Sequence, residues 1–169
     1  MSKAYIGLSP AEVVAAGGIP AYRVGTVGAY DDPTYGLKEF IYVKAGEAIT
    51  GAGYGCVFNA PSSVEMADTT ATTPGTKGPG ARFGVAMAAI ANTGYGWLQI
   101  YGRATVRPLA SAAVGTRLNT TATPGCLDDD GGAGAEQIFG VVLGTATGGA
   151  EANNADAFLS YPVVGVTLT

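Results

Sequence analysis

The densest set of side chains able to do chemistry is Asp128-Asp129-Asp130-Gly131-Gly132, with Glu136 downstream. A calcium loop would put oxygen ligands at alternating positions around a turn glycine and close with a bidentate Glu. That spacing is not met, so the run reads as an acidic hairpin tip in solvent. The other carboxylate pair, Asp31-Asp32, sits on an extended segment whose successive side chains point to opposite faces. The two cannot flank one scissile bond, and before Pro33 they read as the start of a turn. Histidine is absent from the chain. No serine and neither cysteine, Cys56 or Cys126, therefore has an imidazole base beside it. Gly51-Ala52-Gly53-Tyr54-Gly55 lacks the lysine of a phosphate-cradling loop and runs into strand-like residues instead of a helix N-terminus. We expect no catalytic residue, no cofactor-binding residue and no metal ligand.

A chain of 169 residues is one domain at most. Its charged side chains make up 13% of the sequence, against roughly 25% in an ordinary globular protein, and the mean hydropathy is +0.25. So few charges imply that sister copies or a larger lattice cover part of the surface. The charges are also unevenly spread. Residues 61–125 carry five basic and two acidic side chains, whereas 126–169 carry six acidic and none basic. Opposite potentials steer association, so contact between copies is favoured. A pI near 4.6 and scattered arginines give no basic stripe, which argues against a nucleic-acid partner. The uncharged window from Phe83 to Gly102 approaches a membrane span in length, but Asn92-Thr93-Gly94 and Gln99 interrupt it, and we read strands and a turn there. No membrane partner is expected. Between Met1 and Ser9-Pro10 there is no apolar leader, so synthesis in a cytoplasm is expected. Cys56 and Cys126 could form one long-range bridge, although small secreted scaffolds normally carry several; their pairing stays open.

The positioning elements follow from pattern. Leu8-Ser9-Pro10-Ala11-Glu12-Val13 has the marks of a helix start: Ser9 at the N-cap, Pro10 at the first helical position, Glu12 completing a capping box, and Leu8 and Val13 spaced as a staple. A short helix is expected over about 10–16, stopped by Gly17-Gly18 and docked either on its own domain or on a neighbouring subunit. Residues 19–33 read as an extended arm, so that 1–35 form an N-terminal arm and 36–169 a β-domain. Within it we expect strands at Glu39–Lys44, Tyr54–Asn59, Arg82–Ala89, Trp97–Val106 with a bend at Gly102, Val114–Leu118, Gln137–Gly144 and Ala157–Val164. In Arg82–Ala89 large and small residues alternate with period two, which favours strand over the competing helix. Residues 62–80 form a Thr/Pro/Gly tract read as a long loop. Short strands with frequent turns indicate a mainly β fold, a small β-barrel or sandwich.

Tyrosines Tyr5, Tyr22, Tyr30 and Tyr35 crowd the first 35 positions, where little core exists to bury them. Tyr suits interfaces because its ring is apolar and its hydroxyl tolerates water. Together with Leu8, Val13, Arg23 and Arg82 they are the candidate interface residues.

The stretches Phe83-Gly84-Val85-Ala86, Gly94-Tyr95-Gly96-Trp97-Leu98-Gln99-Ile100-Tyr101-Gly102, Val114-Gly115-Thr116-Arg117-Leu118 and Ile138-Phe139-Gly140-Val141-Val142-Leu143 resemble the small β-barrel of tailed-bacteriophage virion proteins, particularly capsid decoration or cement proteins. Lys38-Glu39-Phe40-Ile41-Tyr42-Val43-Lys44-Ala45-Gly46 is similar to openings of such domains. The likeness is of pattern and composition, with no invariant motif. It implies a non-enzymatic homo-oligomer, often a trimer, on the capsid surface, with the major capsid protein as partner. Exposed aromatics such as Trp97 or Tyr95 would instead suit a carbohydrate- or receptor-binding module of a tail fibre or spike, and a minor head-tail component is a third reading.

Overall fold

The computed structural model describes residues 8–74, 80–148 and 153–165. Ten strands form one sheet: β1 (Val27–Asp32), β2 (Gly36–Ala45), β3 (Gly55–Ala60), β4 (Ser63–Met66), β5 (Phe83–Ala86), β6 (Tyr95–Val106), β7 (Arg117–Thr120), β8 (Leu127–Asp128), β9 (Gln137–Leu143) and β10 (Ala155–Val164). The chain is mainly β, as its alternating apolar runs predict. No helix among the described residues is long and apolar enough to cross a membrane.

Two closed circuits of pairing share the long strand β6. In the first, β2 pairs with β4 in parallel, and β4–β3, β3–β5, β5–β6 and β6–β2 complete the ring antiparallel. All five strands give side chains to one cluster, among them Ile41, Val43, Val64, Phe58, Ala86 and Leu98. The second runs β6–β10–β9–β7–β8 and closes because Leu127 of β8 bonds the segment just after β6: its amide donates to the Arg107 carbonyl, and the Leu109 amide donates back. Val106, Leu118, Leu127, Ile138, Val141 and Leu159 fill the second cluster. Closing a ring leaves fewer unpaired backbone groups, which suits a chain with few charges to protect a sheet edge.

Serving both rings requires β6 to change direction. Gly102 provides this with φ +87°, and a Cβ there would collide with the Leu37 carbonyl, so only glycine fits. Gln99, the polar residue in an otherwise apolar strand, is 2% exposed. Its Nε2 donates to the carbonyls of Tyr101 (2.9 Å) and Arg103 (3.0 Å), holding the bend on both sides of Gly102.

A third cluster lies on the outer face of β2 and β6, where Phe40, Tyr42 and Trp97 are buried beneath Leu8, Tyr22 and Tyr30. The arm supplies this cover, and its last part is β1, paired with β2 from Val27↔Ile41 to Asp32↔Gly36. The expected helix over 10–16 is not formed. Ser9 and Glu12 close a single turn, after which Val14 exchanges two backbone bonds with Tyr95 (2.8 and 2.9 Å). Two helical turns are marginal in water, and a tertiary pair of backbone bonds outweighs the capping signal. The Thr/Pro/Gly tract also differs from expectation. It opens with β4, and residues 67–74 are tied down by Thr72, whose hydroxyl donates to the Asp68 carbonyl and meets Thr120 Oγ1 at 3.2 Å. Residues 75–79 lie outside the described residues. The strand expected at Val114–Leu118 forms three residues later, as β7.

Replacing Gln99 with Leu keeps the volume while stripping both carbonyls at the bend of their donor. We expect Gln99→Leu to cost about 1–3 kcal/mol, read from urea unfolding; an unchanged midpoint would show that the bend does not depend on this side chain.

Candidate functional site

A stripe of cross-strand neighbours runs over the outer face of the second circuit. Register places Arg117 of β7 opposite Val142 of β9, Val142 opposite Phe158 of β10, and Phe158 opposite Arg103 of β6. Residues opposite one another in a sheet share a face, so the four form one row. Phe158 is 54% exposed at its centre, and Val142 and Arg117 are exposed beside it. This is the composition of a protein interface: an aromatic and an aliphatic anchor with arginines at the ends.

The β1–β2 hairpin overhangs the Arg103 end. Asp32 builds the turn: its Oδ1 accepts from the amides of Thr34 (2.9 Å) and Tyr35 (3.1 Å), and its Oδ2 accepts from the Tyr30 hydroxyl (3.0 Å) and lies 3.0 Å from Lys38 Nζ. The Thr34 amide, then Lys38, with smaller help from Tyr30 and Tyr35, hold the Asp32 carboxyl well below the usual carboxylate range against the opposing effect of burial. The turn so fixed lays Tyr35 between two cations, Arg103 at 4.2 Å and Lys38 at 5.2 Å from its ring centre. Arg103 is in turn paired with Asp156, which raises its already high pKa. Between hairpin and row lies an open groove of about 540 Å³ walled by Tyr35, Leu37, Tyr101, Arg103, Phe158 and Ser160. Beyond it Tyr161 packs on Tyr101 with ring centres 5.1 Å apart, and the neighbouring Glu39 carboxylate, with burial, pushes its ionisation up.

Of the residues singled out in the sequence, three turn inward. Tyr22 meets Trp97 and Tyr42 edge-on at 5.1 and 5.4 Å, Tyr30 stacks on Phe40, and Leu8 lies over Gly28. Val13, Arg23, Tyr35 and Arg82 are exposed, but only Tyr35 reaches the row. Tyr5 lies outside the described residues. Trp97 is 1% exposed, and Tyr95 is stacked on Tyr42, so neither is open to a sugar. Cys56 and Cys126 are buried free thiols, and burial pushes the Cys56 thiol far up. At the acidic tip, burial raises the Asp128 carboxyl, while Asp129 accepts from the Ala113 amide at 2.8 Å. Among the described residues no three His, Cys, Asp or Glu side chains gather as a metal site requires.

No local sequence pattern joins the four residues of the row. A signal for its centre exists in Asp156-Ala157-Phe158-Leu159-Ser160, where period two puts Phe158 on the same face as Asp156 and Ser160 and so toward solvent. No family model matches the chain, and no curated protein matches it.

The depressed Asp32 carboxyl has a definite consequence for pH. Its contribution to the hairpin is present above the unfolded-chain value of about 3.9 and is lost only as pH falls through the lower folded value. Asp32→Ala should therefore be less stable than the parent at neutral pH, with the gap persisting below pH 4 and closing only in stronger acid. Paired urea titrations across the acid range read this; a gap already closed near pH 4 would mean that the carboxyl titrates normally.

Proposed function

We propose that this chain is a non-enzymatic virion structural protein that binds the outer surface of a phage capsid and cements neighbouring major capsid subunits. Its two closed circuits are read as a pair of small β-barrels sharing β6. The observation that carries the proposal is the solvent-facing Arg117–Val142–Phe158–Arg103 row, flanked by Tyr35 and Tyr161. Large apolar side chains grouped on an open sheet face mark a surface that a partner covers. The low charge and the resemblance in the sequence agree with this, as does self-association, for which a trimer is the expected form.

Mass action supplies the mechanism. A protein that binds the assembled lattice and not its dissociated subunits shifts the equilibrium toward the lattice, and copies joined to one another add avidity. Since Leu8, Tyr22 and Tyr30 are engaged within the chain, contact falls to Tyr35 and the row more than to the arm as a whole. The reading as a tail-fibre carbohydrate module is weaker, because Trp97 and Tyr95, the aromatics it would use, are taken up by packing.

Phe158→Asp puts a charge at the centre of the row without touching either core cluster. On shells stripped of decoration, occupancy at a fixed concentration should fall, with affinity weakened about 30-fold or more, while Ile19→Asp, at a position 90% exposed on the arm, should bind as the parent does. Undiminished occupancy of the Phe158 variant would remove this surface from the interface. Counting copies per particle is the companion measurement: hundreds fit shell decoration, a dozen or fewer fit a tail or vertex position.

A further inference from the structure

A second feature lies where β10 runs past residues of β2, β3, β5 and β6. Where β10 loses register between Leu159 and Val163, Tyr161 adopts φ +46°, a conformation costly for a residue with a side chain. This irregularity lays Tyr161-Pro162-Val163 across a cavity of about 220 Å³ whose floor is Ile41, Phe58, Phe83 and Ile100. The cavity is partly open to solvent and lined almost wholly by apolar atoms, and even an enclosed apolar cavity of roughly 150 Å³ is enough to take up benzene. Ligand sites are concave and mostly apolar, with a few polar groups that fix orientation.

One cation stands at the rim. The Arg82 guanidinium lies 4.3 Å from the centre of the Phe58 ring, and one of its amino groups donates to the Pro61 carbonyl. It has no carboxylate partner among the described residues. The acid nearest Tyr161, Glu39, raises the ionisation of that tyrosine's hydroxyl. An apolar chamber with an unpaired guanidinium at its edge selects a ligand with a greasy tail and a planar anionic head, since arginine binds carboxylates through paired, charge-assisted bonds. We propose that this cavity binds an aliphatic monocarboxylate, its chain against Ile41, Ile100 and Phe83 and its carboxylate on Arg82. The cavity shares Tyr161 with the flank of the capsid-binding row, but its ligand chemistry does not depend on that reading.

Octanoate and octanol, titrated separately into the full chain, test this by NMR of the Ile41, Ile100 and Val163 methyl groups. Saturable octanoate shifts at these methyls are expected. Arg82→Gln, a change at an exposed position, should weaken octanoate about tenfold and leave octanol unchanged. No shift at these methyls up to the solubility of octanoate would overturn the site. Equal loss for acid and alcohol in Arg82→Gln, or no loss for either, would overturn the assignment of the head group to Arg82.

Discussion

β6 belongs to two closed circuits at once, and the bend at Gly102 makes this possible. From Tyr95 to Tyr101 the strand pairs with β2, and at Leu98 and Gln99 also with β5; from Tyr101 to Val106 it pairs with β10. A straight strand of this length could not turn its apolar face into both cores. Glycine supplies the conformation, and Gln99 satisfies the carbonyls of Tyr101 and Arg103 on either side of the bend, in a partly buried place. The cost of leaving such groups unpaired exceeds the cost of burying one well-bonded amide. The same bend brings Arg103 beneath the β1–β2 hairpin and opposite Phe158, so the surface row inherits its geometry from the constraint that joins the cores.

The arm follows a similar logic. Phe40, Tyr42 and Trp97 face away from both enclosed clusters, and without cover they would leave a large aromatic patch in water. Leu8, Tyr22 and Tyr30 provide that cover, with edge-on and stacked rings at the separations aromatic pairs prefer. Tyrosines that look superfluous in a stretch with no core of its own are thus the lid of a core built later in the chain.

Much of the fold was legible where local pattern and tertiary demand agree. The strand expected over Trp97–Val106 forms within β6, and its neighbours Trp97 and Leu98 enter different clusters. The bend at Gly102 and the turn before Pro33 were also visible. What failed has a common cause. The capping box at Ser9–Glu12 is a genuine local signal, yet Val14 gains more from Tyr95, far away in sequence. β1 shows no amphipathic pattern because it is a peripheral strand with half-exposed faces, and β4 is too short to stand out from the Thr-rich tract around it. The exposed row was invisible for a different reason: Arg117, Val142, Phe158 and Arg103 come from four strands, and only their register brings them together.

The claim that this row is the surface covered in the assembled particle is tested most directly by hydroxyl-radical footprinting of the chain alone and of the same chain in place on its shell. Phe158 and Tyr161 should be modified readily in the isolated protein and protected on the particle, while Ile19 stays as reactive as before. Phe158 remaining equally reactive in both states would contradict it.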